Sequence, residues 1–308
     1  MLVRLANRLR TRQVALTPRA GVASIAAVPA GSGVNAMGRF DRSVVVVTGA
    51  ARGQGLAIAQ RFASEGADVA IGDIGTAASG GTEYALSSES ELAAAAKELE
   101  ARGARVVARS CDVRSSDDVD AFVGAVVDEL GAPSVLVNNA GILPAMGRAH
   151  EMSDAQYENV LAVNLGGVFR MCRAVIPHMI ARGGGRIVNT SSAAGLTAAP
   201  MFAAYCASKH GVVGLTKALA AELAGDHITV NAVCPGAVIT PMVEHTARTL
   251  AEQSGVTVDE ALSGFLGTHL IQEFVTSEQV AGAVLFLADP EQTTLTGVAL
   301  PVDGGWTA

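Results

Sequence analysis

Three residues in the second half of the chain have the types and the spacing of a proton-transfer site. Tyr205 and Lys209 are four positions apart in a stretch of helical periodicity, so both side chains face the same side of that helix. Ser192 precedes Tyr205 by thirteen positions and ends a predicted strand. A tyrosine can exchange a proton with an alcohol or carbonyl oxygen only if its pKa falls from about 10 toward neutrality. Lys209 would stabilise the phenolate and Ser192 would hydrogen-bond to the substrate oxygen, as hydride transfer at the neighbouring carbon requires.

A glycine-rich turn near residue 50 predicts where the hydride carrier binds. The sequence TGAARGQG at residues 48–55 joins a predicted strand to a predicted helix. Its glycines permit a tight turn and let backbone amides approach a pyrophosphate at the helix N-terminus, where the dipole favours negative charge. The turn alone could be an ordinary connection, but an acidic residue follows at a suitable distance. The predicted cofactor contacts in the turn are Gly49, Arg52, Gly53, Gln54 and Gly55.

That acidic residue is Asp73, which ends the second predicted strand 24 positions after Gly49. A carboxylate there accepts hydrogen bonds from the ribose hydroxyls of NAD and repels the 2′-phosphate of NADP. Arg52 argues in the other direction, since it offers a partner to that phosphate. We give Asp73 more weight because a charge clash with a phosphate is hard to offset, and we predict NAD as the cofactor.

The ends of two further strands complete the predicted cofactor site. Asp112 and Val113 follow the third strand and are placed to contact the adenine, although Asp112 is equally well explained as an acid at a helix N-terminus. Asn139, Ala140 and Gly141 follow the fourth strand, and their small side chains let the chain pass close to the cofactor.

Only a parallel sheet would bring these residues together, and the hydrophobic pattern predicts one. From Ser43 onward, short runs rich in Val, Ile and Ala alternate with longer stretches of helical periodicity. We predict an α/β fold, a single Rossmann-type doubly wound parallel sheet of about seven strands. A Gly-rich insertion at 75–87 interrupts this rhythm, and a long excursion at 240–273 is predicted to be a lid over the substrate. The predicted strands are 43–48, 67–73, 104–110, 134–139, 185–191, 228–234 and 298–302, and the predicted helices are 54–66, 88–102, 115–130, 153–181, 203–224 and 276–288.

Composition argues against several classes of partner. Charged residues interrupt every long apolar run before it reaches the roughly 18 to 20 residues of a membrane span. Residues 1–40 hold six basic and no acidic residues, which leaves 16 basic against 29 acidic residues in the rest of the chain. Such an acidic surface repels nucleic-acid backbones. The four cysteines are scattered without metal-ligand spacing. We therefore expect a small-molecule substrate, no membrane, nucleic-acid or metal partner, and a cytoplasmic location.

Residues 1–36 precede the predicted catalytic domain at 37–308 and are rich in Ala, Gly and Arg. Arg4, Arg8 and Arg12 would line one helical face, as in a transit peptide for organellar import. A disordered tail, or a start site at Met37, fits the same composition, and we favour this interpretation. Deletion of residues 1–36 is then expected to leave fold and activity unchanged.

Six motifs in order resemble the short-chain dehydrogenase/reductase family over roughly residues 43–305: TGAARGQG, NNAG, VNLGGVF, NTSSAAG, YCASK and VCPGAVITPM. The resemblance implies an NAD-dependent oxidoreductase acting on CH–OH groups. It implies a catalytic role for Asn164, which would hold a water that links Lys209 to solvent; by itself an Asn inside a helix indicates a polar surface position. At the nicotinamide end, the resemblance implies cofactor contacts from Tyr205, Lys209, Pro235, Gly236, Ile239 and above all Thr240.

The same motifs leave the substrate open. The C-terminal portion is similar to 3-hydroxybutyrate dehydrogenases, but the positions that hold a small carboxylate in those enzymes are the apolar Leu143, Ala194 and Phe202 here. SSAAGL and VDGGWT resemble hydroxysteroid dehydrogenases, and the YAL at residues 84–86 resembles actinobacterial NAD-dependent relatives. We predict an apolar secondary alcohol or ketone, cyclic or steroid-like. A 3-hydroxybutyrate or 3-oxoacyl-thioester enzyme is the alternative, and a non-catalytic dinucleotide sensor is a remote one.

Two predicted helices indicate self-association. The helices at 153–181 and 203–224 carry more apolar side chains than one face of a sheet can cover, and in the resembling family these helices pair with symmetry mates. We predict a homotetramer; a lid folded over the helices would instead leave a monomer. The residues concerned are Val160, Val163, Phe169, Cys172, Val212, Leu215, Leu219 and Leu223.

Overall fold

The computed structural model describes residues 38–75, 84–144, 146–267 and 269–308. The predicted extension at 1–36 and most of the insertion at 75–87 lie outside the described residues. The strands are β1 (Val44–Thr48), β2 (Asp68–Asp73), β3 (Val106–Ser110), β4 (Val135–Asn138), β5 (Gly185–Thr190), β6 (Ile228–Pro235) and β7 (Ala299–Val302). They form one parallel sheet in the order β3-β2-β1-β4-β5-β6-β7. The predicted fold class, with its seven strands, is confirmed.

Helices cover both faces of this sheet. They are α1 (Gly53–Ser64), α2 (Glu89–Glu100), α3 (Ser116–Glu129), α4 (Asp154–Leu161), α5 (Val168–Arg182), α6 (Ala203–Leu223), α7 (Pro241–Ser254), α8 (Val258–Phe265) and α9 (Ser277–Ala288). One core cluster joins α1, α2 and α9 to the sheet, and a second joins α3, α5 and α6 to its opposite face. The predicted excursion at 240–273 contains α7 and α8.

The run of valines in β1 shows why the sheet is covered on both sides. Side chains alternate between the two faces of a strand. Val45 and Val47 belong to the first core cluster, whereas Val44 and Val46 belong to the second. A strand that is apolar at every position is therefore buried on both faces, which is the situation of a parallel strand between two helical layers.

The prediction of one continuous helix over 153–181 is wrong in its middle. Ala162–Gly167 forms a π-helical segment between α4 and α5. A π segment misaligns carbonyls of the helix ladder, and the guanidinium of Arg170 donates to the carbonyl of Ala162 at 3.3 Å. Asn164 in this segment is fully buried and does not face solvent. Asn164 is thus not the polar surface residue that a regular helix would make it.

By length and composition the whole stretch Asp154–Arg182 could cross a membrane. In this fold, however, its apolar side chains at Met171, Val175 and Met179 are fully buried in the second core cluster. The stretch contacts α3, β4 and β5, which makes it a core helix of the α/β domain.

Candidate active site

The candidate site lies at the carboxyl ends of β1 and β4, where the strand order reverses and open α/β sheets bind their ligands. The Thr48 hydroxyl accepts hydrogen bonds from the backbone amides of Asn139 and Ala140, both at 3.1 Å. The Asn139 side-chain amide donates to the carbonyls of Thr48 at 3.1 Å and Gly49 at 2.9 Å. These bonds hold the glycine-rich turn and the loop after β4 in fixed positions relative to each other. Two segments that contact the same cofactor need such a fixed arrangement.

Glycines keep a cradle open above this junction. A Cβ atom at Gly55 would lie 2.1 Å from the carbonyl oxygen of Gly49. A Cβ atom at Gly49, where φ is +65°, would lie 2.7 Å from the Cα of Ala140. The residue before α1 is Arg52, whose side chain offers no acceptor to the first amides of the helix. A cradle that only glycine can form, beside helix amides without a side-chain cap, fits the pyrophosphate of a dinucleotide.

The carboxylate of Asp73 is held at the edge of this cradle by three donors. Its Oδ2 accepts from the amide of Ala51 at 2.9 Å, and its Oδ1 accepts from the amide of Ile74 at 2.8 Å. The hydroxyl of Ser87 also donates to Oδ1. Asp73 lines the same cleft as Gly49, so its orientation is fixed where the ribose of a dinucleotide would lie.

Arg52 lines the cleft as well, but its guanidinium turns to protein groups. Nη1 donates to Glu91 Oε1 at 3.3 Å, and Nη2 donates to the carbonyl of Ala85. Ala85 lies near the end of the insertion, and Glu91 lies in the helix that follows it. Arg52, which the sequence could assign to a phosphate, is therefore paired with a carboxylate in this structure.

The predicted adenine contacts, Asp112 and Val113, also line the cleft. Asp112 is bound by the guanidinium of Arg114, with the shortest contact at 2.7 Å. Although burial works against it, the hydrogen bonds and charge of Arg114 hold the pKa of Asp112 below its ordinary value. A second contact ties Arg114 Nη1 to Asn159 at 2.9 Å, so this edge of the site is braced against α4.

The three residues of the predicted proton-transfer site lie together in an adjoining cleft. Ser192 follows β5, and its hydroxyl accepts from the amide of Ala194 at 3.1 Å and donates to the carbonyl of Pro235 at 3.4 Å. Tyr205 is partly buried in the first turns of α6, and burial raises its pKa to about 12, against a hydrogen bond from Ser192 that lowers it. The pKa of Tyr205 is thus raised, opposite to the fall toward neutrality that the chemistry needs.

Lys209 places a positive charge close to Tyr205. Its Nζ lies 5.5 Å from the centre of the Tyr205 ring and donates to the carbonyl of Thr190 at 2.8 Å. Burial lowers the pKa of Lys209 to about 8. The ammonium is therefore anchored to the end of β5 and has nearby protein carbonyls as its neighbours in place of bulk water.

Asn164 completes the arrangement from the π-helical segment. Its Oδ1 accepts from the amide of Ile142 at 2.8 Å, and its Nδ2 donates to the carbonyl of Ile142 at 2.9 Å and to Ser208 Oγ at 3.2 Å. A Cβ atom at Gly141 would lie 3.4 Å from Asn164 Oδ1 and 3.5 Å from Lys209 Nζ, so both polar groups lie close to Gly141. The role of Asn164 in linking Lys209 to solvent through a water stays a prediction.

Comparison with known proteins identifies the family. A family model described as short chain dehydrogenase matches residues 43–251. The chain belongs to the short-chain dehydrogenase family. It is an oxidoreductase with the α/β fold described above.

Several relatives of this dehydrogenase are similar over nearly their whole length. D-beta-hydroxybutyrate dehydrogenase of Rhizobium meliloti is 35% identical, over 85% of this chain and 98% of the relative. Among solved structures, carveol dehydrogenase from Mycobacterium avium in complex with NAD is 36% identical with a TM-score of 0.83, covering 87% of this chain and 98% of that chain. An actinorhodin polyketide ketoreductase with NADPH is 40% identical with a TM-score of 0.79, covering the same shares.

Of the residues predicted to contact a nicotinamide, Pro235, Gly236 and Thr240 line the cleft together with Tyr205 and Lys209. Thr240 also caps α7, since its hydroxyl accepts from the amide of Val243 at 3.4 Å. The side chain of Ile239 is 42% exposed and does not line the cleft, so only its backbone could contact a carboxamide.

Sequence analysis missed three residues that shape the dehydrogenase site. Ser87, the last residue of the insertion, holds Asp73; Glu91 in α2 holds Arg52; and Arg114 holds Asp112. The pair Asp112 and Arg114 is two positions apart, so the sequence did carry a signal for it. The partners of Asp73 and Arg52 are separated from them by the insertion, and no spacing rule predicts such a contact.

Proposed function

We propose that this protein transfers a hydride between NAD(H) and an apolar secondary alcohol or ketone, cyclic or steroid-like. The observation that carries the substrate class is the lining of a small chamber, which shares Tyr84 with the cofactor cleft. Tyr84, Leu143, Pro144, Met146, His245, Thr246 and Thr249 line it. Among the described residues of this chamber none is Arg or Lys, and the ring of the single imidazole, His245, packs 5.8 Å from the ring of Tyr84.

Because it offers no Arg or Lys among its described residues to pair with a carboxylate, this lining favours an uncharged substrate over a hydroxy acid. A carboxylate loses its hydration on entering a closed site and needs paired donors to compensate for that loss. The positions that could have supplied donors near Ser192 are apolar, with Ala194 buried and Leu143 in the chamber wall. The hydrocarbon part of an alcohol gains by leaving water for the same walls.

The catalytic roles follow from the geometry. Bound NAD⁺ would supply the hydride acceptor. Ser192 would donate a hydrogen bond to the substrate oxygen, and Tyr205 would take the alcohol proton through its phenolate. Burial opposes that phenolate, so the Lys209 ammonium has to be charged when Tyr205 loses its proton. Asn164 would keep Lys209 in contact with solvent protons.

NAD is proposed as the cofactor because Asp73 is rigidly held at the ribose end and Arg52 is paired with Glu91. A mycobacterial relative crystallised in complex with NAD supports this choice, and a ketoreductase crystallised with NADPH shows that the family includes both. The unmodified protein should therefore give a higher kcat/KM with NAD than with NADP. A preference for NADP would refute the assignment.

The substrate proposal is tested by following reduced nicotinamide absorbance with a matched set of alcohols. Cyclic secondary alcohols and hydroxysteroids should be oxidised with a kcat/KM well above that of 3-hydroxybutyrate. The similarity to a hydroxybutyrate dehydrogenase makes the hydroxy acid the second candidate. Preferential oxidation of 3-hydroxybutyrate, or reduction of 3-oxoacyl thioesters only, would refute the apolar assignment.

We also propose a homotetramer, although fewer of the apolar side chains that suggested it in the sequence are exposed. Val160, Cys172, Val212 and Leu223 are buried within the domain and need no partner chain. The helices α4 and α5 nevertheless expose large apolar side chains at Tyr157, Phe169 and Ile180, with exposed fractions of 43%, 49% and 44%. Light scattering of the purified protein decides the state, and a mass near 31 kDa would refute the tetramer.

A further inference from the structure

We propose that Glu91 is a second determinant of cofactor choice, because it keeps Arg52 from acting as a partner for the 2′-phosphate of NADP. The inference rests on the proposed preference for NAD. The residues concerned lie outside the proton-transfer site, at the end of the cofactor cleft where the ribose would bind.

Arg52 stands where a phosphate partner would be useful. It is the N-cap residue of α1, and its side chain lines the cleft together with Asp73 and Ser87. The side chain remains partly exposed, at 29%, which leaves it room to turn toward a ligand if its present partners released it. Those partners are the carboxylate of Glu91 and the carbonyl of Ala85.

Glu91 is unusually well placed to hold Arg52, because its two oxygens serve different groups. Oε2 accepts from the amide and the hydroxyl of Ser88, at 2.8 and 2.9 Å, and forms the capping box at the start of α2. Oε1 accepts from Arg52 Nη1 at 3.3 Å. The Ser88 amide and hydroxyl, with the charge of Arg52, lower the pKa of Glu91, so the carboxylate stays ionised while the cap fixes its position.

The charge at the ribose end is then negative. Glu91 neutralises Arg52, and Asp73 remains as an uncompensated carboxylate held by neutral donors. Removal of Asp73 alone would abolish the repulsion of the 2′-phosphate without supplying an attraction. Removal of the Glu91 charge in addition would free a guanidinium, which binds phosphate with charge-assisted hydrogen bonds.

The test is a set of full-length variants whose dissociation constants for NAD⁺ and NADP⁺ are measured by titration calorimetry, which needs no substrate. In the Asp73→Ser background, adding Glu91→Gln should tighten NADP⁺ binding about tenfold further, the size expected for one hydrogen bond to a charged group. NAD⁺ binding should change by less than about threefold. Glutamine preserves the capping box, since the new amide oxygen can accept from Ser88. Adding Arg52→Ala to this double variant should abolish the gain.

Glu89→Gln in the same background is the matched control. Glu89 is exposed in the same helical turn as Glu91, and its substitution removes an equal charge. An equal gain from Glu89→Gln would mean a general charge effect and would overturn the proposal. So would the absence of any gain from Glu91→Gln, or a gain that survives Arg52→Ala. Failure of the proposed NAD preference would show separately, as tighter binding of NADP⁺ than NAD⁺ to the unmodified protein. Melting temperatures of all variants verify that each is folded.

Discussion

Replacing Lys209 by methionine should stabilise the protein near neutral pH while it removes the activity. Burial lowers the pKa of Lys209 from 10.5 to about 8, so at pH 7 the folded protein carries a charge that it would hold more readily when unfolded. At about 1.4 kcal/mol for each pKa unit, this charge costs about 3 kcal/mol of folding free energy. Methionine removes that cost but leaves the carbonyl of Thr190, now 2.8 Å from Nζ, without its donor, at about 1–2 kcal/mol. A net gain of about 1–2 kcal/mol is expected.

The stability of the protein should depend on pH because the pKa of Lys209 differs between the folded and the unfolded state. Between pH 8 and 10.5 the unfolded chain binds more protons at Lys209 than the folded protein does, so the stability of the unmodified protein rises with pH in that window. The cost of the buried charge falls from about 3 kcal/mol at pH 7 to about 1 kcal/mol at pH 10. The advantage of Lys209→Met should therefore shrink by about 2 kcal/mol over this range and vanish or reverse at its upper end.

Urea denaturation followed by far-ultraviolet circular dichroism at pH 7, 8.5 and 10 measures this difference, with protein concentration held constant. Lys217→Met on the same helix is the control, since Lys217 is exposed and its ammonium stays hydrated. An advantage of Lys209→Met that does not change with pH, or a variant that is less stable at pH 7, would refute the claim that the buried charge is costly. Confirmation would mean that the protein retains an unfavourable residue for its chemistry.

The remaining predictions concern proton transfer, the π-helical segment and assembly. Tyr205→Phe should lower kcat by about 10²–10⁴-fold and leave the dissociation constant of NAD⁺ nearly unchanged in calorimetry, and near-normal turnover would mean that another group moves the proton. Asn164→Ala should lower the free energy of unfolding by about 2–4 kcal/mol, because the amide and the carbonyl of Ile142 both lose a buried partner. Urea denaturation measures this loss, and a value below about 0.5 kcal/mol would show that water replaces the lost partners. Phe169→Glu should convert the proposed tetramer to smaller species in light scattering, with the melting temperature little changed. Ala94→Glu, at an exposed position of α2, adds the same charge outside this patch and is the control, and a tetramer that persists in Phe169→Glu would place the interface elsewhere.

The local arrangements in this protein were predictable because they depend on short-range geometry. Four positions along a helix put Tyr205 and Lys209 on one side whatever the rest of the chain does. The alternation of apolar runs with stretches of helical periodicity was enough to predict the number of strands and their parallel direction. A strand that is apolar at every position is buried on both faces, and this occurs mainly in parallel sheets between two layers of helices. The sheet order then places the residues at the ends of β1, β2 and β4 around one cleft.

The pairing of charged and polar side chains was decided by tertiary structure alone. Arg52 meets Glu91 39 positions along the chain, and no periodicity links a turn to the first turn of a different helix. The burial of Asn164 is likewise invisible in the sequence, because its side-chain amide finds its partners on the backbone of Ile142, 22 positions away. Burial of Val160 and Cys172 depended on how α4 and α5 pack on the sheet. The sequence determined which chemistry the chain carries, and packing determined which of its charges remain available for a ligand, because electrostatic partners are chosen by distance in space.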